Sequence, residues 1–164
     1  MFIINLVAGH GGNEGKTSWM NRLTNGEFIG RSQVNGEGED NYRLKYNTNY
    51  GMVELNIIVS QTPISKCDAK IVMFDWNERA TIEQYQYHSN NENITVFVCN
   101  KVQLPVNQVF KINNETVIQI NSKSCYNYGA PIVAILRKLI KNDLVLLEHD
   151  PIPAPIVFYN SNKA

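Results

Sequence analysis

The 164 residues suffice for one ordinary domain with a single sizeable core, and the 43% hydrophobic content is that of a globular chain. Fifteen lysines and arginines balance 15 aspartates and glutamates, and the resulting net charge of +0 argues against a non-specific grip on nucleic acid or acidic membranes. No apolar run reaches membrane-spanning length, and the short N-terminal run lacks a basic flank, so neither a transmembrane segment nor a signal peptide is expected.

In chain order, Phe2 to Ala8 reads as a buried strand and Thr17 to about Asn25 as a helix, with Trp19, Met20 and Leu23 on one face and Gly26 as its stop. Between them lies the glycine-rich stretch that runs from Gly9 through Gly11, Gly12 and Gly15 into Lys16-Thr17-Ser18. A strand, a glycine loop and Gly-Lys-Thr at a helix start are the context of a phosphate-binding P-loop. Glycines let backbone N–H groups turn inward around phosphate oxygens, and the helix start adds partial positive charge. Gly11, Gly12, Gly15, Lys16, Thr17 and Ser18 are the candidate phosphate set, with the Thr17 hydroxyl as a candidate Mg²⁺ ligand. Two features depart from the pattern. Counted from Gly9 the loop holds one residue too many, and Glu14 brings a carboxylate that weakens anion binding unless it points outward. The competing reading is a plain strand–turn–helix junction that needs glycines for its turn.

Residues 29–41 read as a polar, glycine-rich loop. Tyr42 to Tyr46 and Met52 to Val59 read as an antiparallel hairpin around Thr48-Asn49-Tyr50-Gly51. Strands are expected over Ala69–Asp75, Ile94–Cys99 and Thr116–Ile120, and helices over Ala80–Tyr87 and Pro131–Lys141. The last helix aligns Ile132, Ile135, Leu136 and Leu139 on one face. Residues 151–164, with Pro151, Pro153 and Pro155, form a tail behind a single domain over residues 1–150.

Strands alternating with helices predict an α/β fold: a mostly parallel central sheet, one antiparallel edge hairpin, and helices on both faces. Ligands of such sheets bind beyond the carboxyl ends of the strands. The glycine loop, Asn100-Lys101 and Ser122-Lys123 are all predicted at that rim. Alone, Ser122-Lys123 reads equally well as an exposed turn. Cys67, Cys99 and Cys125 are odd in number, lack metal-ligand spacing and fit a reducing compartment, with Cys99 read as core packing. His88 and His149 lie too far apart in sequence to suggest a metal site, and His10 reads as a solvent-facing loop residue.

The order of these motifs resembles the Ras-like small GTPases, and within them the nuclear-transport branch, the Ran family. The likeness runs through Thr24-Asn25-Gly26-Glu27-Phe28, Ile71-Val72-Met73-Phe74-Asp75, Ser122-Lys123-Ser124-Cys125-Tyr126-Asn127-Tyr128, Leu136-Arg137-Lys138-Leu139-Ile140 and the Pro151–Pro155 run. The resemblance implies a P-loop small-GTPase fold that binds GTP or GDP with Mg²⁺. It would act through protein partners of the nuclear transport system, in the cytoplasm, the nucleus or both, with no nucleic-acid or membrane partner. Gly15, Lys16 and Thr17 would hold phosphate. Asn100 and Lys101 match the first half of the base-recognition motif Asn-Lys-x-Asp, with the Lys101 stem on the purine. Ser122-Lys123 matches the third base-contacting loop, in which a backbone N–H meets the guanine oxygen.

The departures bear on chemistry. The family's guanine-reading Asp is replaced by Gln103, whose amide offers one acceptor and one donor where guanine needs two acceptors. The Asp-Thr-Ala-Gly-Gln motif reads Val59-Ser60-Gln61-Thr62-Pro63, which removes the water-side metal carboxylate and the water-orienting Gln. The first switch loop offers Gly36 in place of its Thr, with Ser32 and Thr48 as poor substitutes. Phosphoryl transfer depends on that positioned water, metal and charge. The expectation is a pseudo-GTPase with little or no intrinsic hydrolysis. The alternatives are a nucleotide-free structural or decoy module of Ran shape, and an active GTPase completed by a partner's residues.

Overall fold

A computed structural model describes residues 1–9, 15–25, 40–78, 82 and 94–147. Phe2–Ala8 is β1, and its four residues Ile4 to Val7 are all buried, as befits a central strand. Lys16–Asn25 is α1, Asp40–Thr48 β2, Gly51–Val59 β3 and Ala69–Asp75 β4, which runs into a 3₁₀ turn at Trp76–Glu78. Ile94–Asn100 is β5, Lys111–Ile112 β6, Glu115–Thr116 β7, Ile118–Gln119 β8 and Ala130–Ile140 α2. Six strands form one sheet in the order β2-β3-β1-β4-β5-β8, and β6-β7 make a separate small hairpin. Only the β2–β3 pairing within the large sheet is antiparallel, so the mostly parallel sheet with an antiparallel edge hairpin is present as predicted.

The core divides by sheet face. On one face Trp19, Met20 and Leu23 of α1 and Ile132, Ile135 and Leu136 of α2 pack over Ile4, Leu6, Ile71, Met73, Val96 and Val98. On the other, Val7, Val72, Phe74, Phe97 and Cys99 are covered by Trp76, Ile82, Phe110, Ile112 and Val117. Both described helices thus pack against a single face. The helix predicted over residues 80–87 lies outside the described residues except for Ile82, which is buried in the second cluster. Most of the predicted loop over residues 29–41, and the whole tail over residues 151–164, also lie outside them.

Two local expectations are corrected. Asp40 and Asn41 are strand rather than loop, because they pair with Val59 and Ile58 of β3. The strand predicted over Thr116–Ile120 is broken. Thr116 pairs with Lys111, and the Val117 N–H donates to the Phe110 carbonyl at 2.8 Å, leaving β8 only Ile118 and Gln119.

Asn5 is a polar residue in the middle of β1 and is 0% exposed. Its Nδ2 donates to the Ile58 carbonyl at 3.0 Å and the Ser60 hydroxyl at 2.8 Å, and its Oδ1 accepts from the Ile64 N–H at 3.0 Å. One side chain therefore fastens the chain beyond β3 to the sheet. Replacing Asn5 by Leu takes these bonds from the Ile58 carbonyl, the Ser60 hydroxyl and the Ile64 N–H, at an expected cost of about 2–4 kcal/mol, readable as a lower midpoint in urea.

Tyr46 points the other way energetically. Its hydroxyl is buried and makes no hydrogen bond among the described residues. Burial first, and then nearby Tyr128, push its ionisation well above the usual tyrosine range. The neutral phenol is the form the fold favours, so this contribution is complete below about pH 10 and is lost as pH rises beyond it. Tyr46→Phe is expected to be neutral or stabilising by about 1 kcal/mol at pH 7 and to flatten the fall in melting temperature above pH 10.

Candidate functional site

Because β1, β4, β5 and β8 are mutually parallel, their carboxyl ends share one edge of the sheet. There β1 leads into the glycine loop, β4 ends at Asp75, β5 at Asn100, and β8 leads to Ser122. Gly9 begins this rim close against the sheet. Its N–H donates to the Met73 carbonyl at 2.7 Å, and a Cβ on Gly9 would lie 2.2 Å from the Phe74 ring.

Gly15 ends the loop with φ +82°, a left-handed conformation suited to glycine. A Cβ there would also lie 2.9 Å from Asn100 Nδ2. The Gly15 carbonyl accepts the first helical bond of α1, from Trp19 N–H at 2.9 Å, and a second from Asn100 Nδ2 at 3.4 Å. Lys16 and Thr17 follow half-buried and Ser18 buried, at a helix N-terminus whose first-turn N–H groups favour an anion. Gly11 and Gly12 lie outside the described residues.

Asn100 is the hub and is 1% exposed. Its Oδ1 accepts from the Lys101 N–H at 2.8 Å and from both the N–H and the hydroxyl of Ser122 at 3.1 Å. With the Nδ2 contact to Gly15, one amide joins three of the rim segments. Asn121 repeats the device, donating to the Val102 carbonyl at 2.9 Å and accepting from the Ser124 N–H at 3.0 Å. The Ser122 and Ser124 N–H groups are thereby committed on either side of exposed Lys123. The structure thus brings Gly15, Asn100, Lys101 and Ser122 together. The Ser122 side chain, 2% exposed, serves the scaffold.

Lys101 adopts φ +62°, and its Nζ makes an ion pair with Asp75 Oδ2 at 2.9 Å. Asp75 Oδ1 is also engaged, by the Asn77 N–H at 2.9 Å. No local sequence pattern pairs Asp75, the end of a predicted strand, with Lys101. Its signal was a carboxylate closing the strand beside β5. Gln103 is exposed two residues after Lys101.

The segment beyond β3 is built for anchoring. Val59 is 8% exposed and brings no oxygen side chain for a metal. Ser60 accepts from Asn5 and donates to the Thr62 carbonyl at 2.7 Å, while its N–H donates to the Leu6 carbonyl at 3.2 Å. Thr48 does not substitute for the missing switch threonine. It is the last residue of β2, paired with Gly51 at the opposite end of β3 from the rim, and its hydroxyl donates to the Gly51 carbonyl at 2.7 Å. Ser32 and Gly36 lie outside the described residues. Thr17 lies half-buried in the first turn of α1, and the described residues hold no cluster of three His, Cys, Asp or Glu. No described helix is long and apolar enough to cross a membrane. No protein-family model matches the sequence, so the chemistry of this rim rests on the geometry of its residues.

Proposed function

We propose that the chain is a Ran-like pseudo-GTPase: it binds a guanine nucleotide at the rim, hydrolyses it little or not at all, and acts through protein partners. The observation that carries this reading is the Asn100 side chain, which ties the end of the glycine loop to Lys101 and Ser122. A nucleotide has its phosphates and its base at different ends, and these segments are what would have to be held in register to meet both. Gly15 to Ser18 would take the phosphates, Lys101 the purine face, and the Lys123 N–H a base oxygen. Thr17 would be the protein's ligand to Mg²⁺, whose role when bound is to neutralise phosphate charge. The same architecture argues against turnover. The position beyond β3 holds Val59, which brings no oxygen side chain, and a Ser60 fastened to Asn5, and this argues against a positioned attacking water.

A second reading, a nucleotide-free module of the same shape, is favoured by the Lys101–Asp75 ion pair, since a carboxylate at the rim opposes anions. A thermal-shift titration with GDP, GTP, ATP and XTP, with and without Mg²⁺, separates the two. The proposed reading expects a rise with GDP or GTP that Lys16→Ala abolishes, because a ligand specific to the folded state must raise the melting temperature. No rise with any nucleotide, from protein shown to be nucleotide-free, selects the second reading. Multiple-turnover GTP hydrolysis abolished by Lys16→Ala would instead restore an active GTPase.

A further inference from the structure

Strand β2 forms one edge of the large sheet and is nine residues long. A long open edge is a template for another strand, so proteins cover or blunt it. Among the described residues the outer side of β2 is paired at one point, the antiparallel bridge between Thr48 and Leu147. The Asn49 N–H donates to the Leu146 carbonyl at 3.2 Å. The Asn49 side chain donates to the Leu144 carbonyl at 2.9 Å and accepts from the Leu146 N–H at 2.8 Å. These bonds fix the register at which a ladder starts. Leu147 packs against the core while Leu146 is 58% exposed, the alternation of a strand. In this register the even-numbered residues from Leu146 onward turn their N–H and C=O toward β2, and the odd-numbered ones turn theirs away. Beyond Leu147 the sequence reads Glu148-His149-Asp150-Pro151-Ile152-Pro153-Ala154-Pro155, and all three prolines fall on odd positions. A proline has no N–H, so a strand accepts it only where that group would face away from its neighbour. Shifted by one residue, every proline nitrogen would face β2.

We propose that the outer edge of β2 is a strand-docking site that the chain fills with its own residues 148–155, which add a seventh strand antiparallel to β2. Charge and apolar pattern agree with this occupant. Continuing the register sets Asp150 opposite exposed Lys45 on the solvent face. On the other face it sets Pro151 and Pro153 opposite Leu44 and Tyr42, both of which belong to the core around α1 and α2. The docked segment closes the sheet, because its prolines leave no N–H on the outer side at positions 151, 153 and 155 for a further strand. This inference does not depend on nucleotide binding.

Amide hydrogen exchange of the full chain, read residue by residue by NMR, tests the proposal. The outward N–H groups of Arg43 and Lys45 should exchange at least about tenfold more slowly in the full chain than in a variant that stops at Leu147. The Tyr46 N–H, which faces Val53 of β3, is the control for an intact hairpin. Two full-length variants keep the test decisive if the shortened chain fails to fold. Ile152→Pro removes an N–H aimed at β2 and should speed exchange at Arg43. Pro153→Ala changes an outward position and should leave it as slow as in the wild type. Exchange at Arg43 and Lys45 that is the same with and without residues 148–164 would overturn the docking. Protection that rises with protein concentration would give the edge to a second copy and overturn it as well. Equal effects of Ile152→Pro and Pro153→Ala would overturn the register.

Discussion

Asn100→Ala is expected to lower the stability of the protein by about 3–5 kcal/mol, or roughly 10 °C in melting temperature for a domain of this size. The size of the effect follows from what the amide satisfies. At 1% exposure water cannot replace it, and truncation strips partners from the Lys101 N–H, the Ser122 N–H and hydroxyl, and the Gly15 carbonyl. Two smaller changes apportion the loss. Ser122→Ala removes only the hydroxyl and should cost about 1 kcal/mol. Asn100→Asp keeps the accepting oxygen but faces the Gly15 carbonyl with a second acceptor, so it should fall between Ser122→Ala and Asn100→Ala. Urea denaturation of the three variants gives the order. If Asn100→Ala costs no more than Ser122→Ala, Asn100 is not the hub of the rim.

Gly9→Ala is the second large effect, and its cause is space. The added Cβ would lie 2.2 Å from a ring carbon of Phe74, which is itself 1% exposed and cannot swing aside, while the Gly9 N–H is held to Met73. Overpacking of this kind is expected to cost about 3 kcal/mol. The partner is named, so a double-mutant cycle can test it. Phe74→Leu makes room, and the pair Gly9→Ala with Phe74→Leu should be more stable than the sum of the single losses predicts, by at least about 1 kcal/mol. Strict additivity would mean that something other than the ring excludes the methyl group.

What could be read from the sequence was whatever a local pattern carries. The apolar runs of β1, β4 and β5 announce buried parallel strands, and their order places Asn100-Lys101 and Ser122-Lys123 at one rim. The features that escaped depend on distant partners. Asp40 and Asn41 have the composition of a loop, yet pairing with β3 makes them strand. Thr116 and Val117 have the composition of a strand, yet Lys111 and Phe110 capture them first. Asp75 meets Lys101 across 26 residues, and Arg22 meets Cys125 across 103, separations at which no spacing rule operates. Asn5 sits in a run whose pattern is that of an apolar strand, yet its side chain fastens the segment beyond β3.

On the proposed function this rim holds a nucleotide through its glycine loop and the start of α1. Isothermal titration of nucleotide-stripped protein with GDP in the presence of Mg²⁺ tests it most directly, with Lys16→Ala as the paired variant. Saturable binding at one site per chain is expected for the wild type and its loss in Lys16→Ala, with both proteins equally stable in urea. Wild-type heats indistinguishable from dilution, or equal binding by Lys16→Ala, would contradict it.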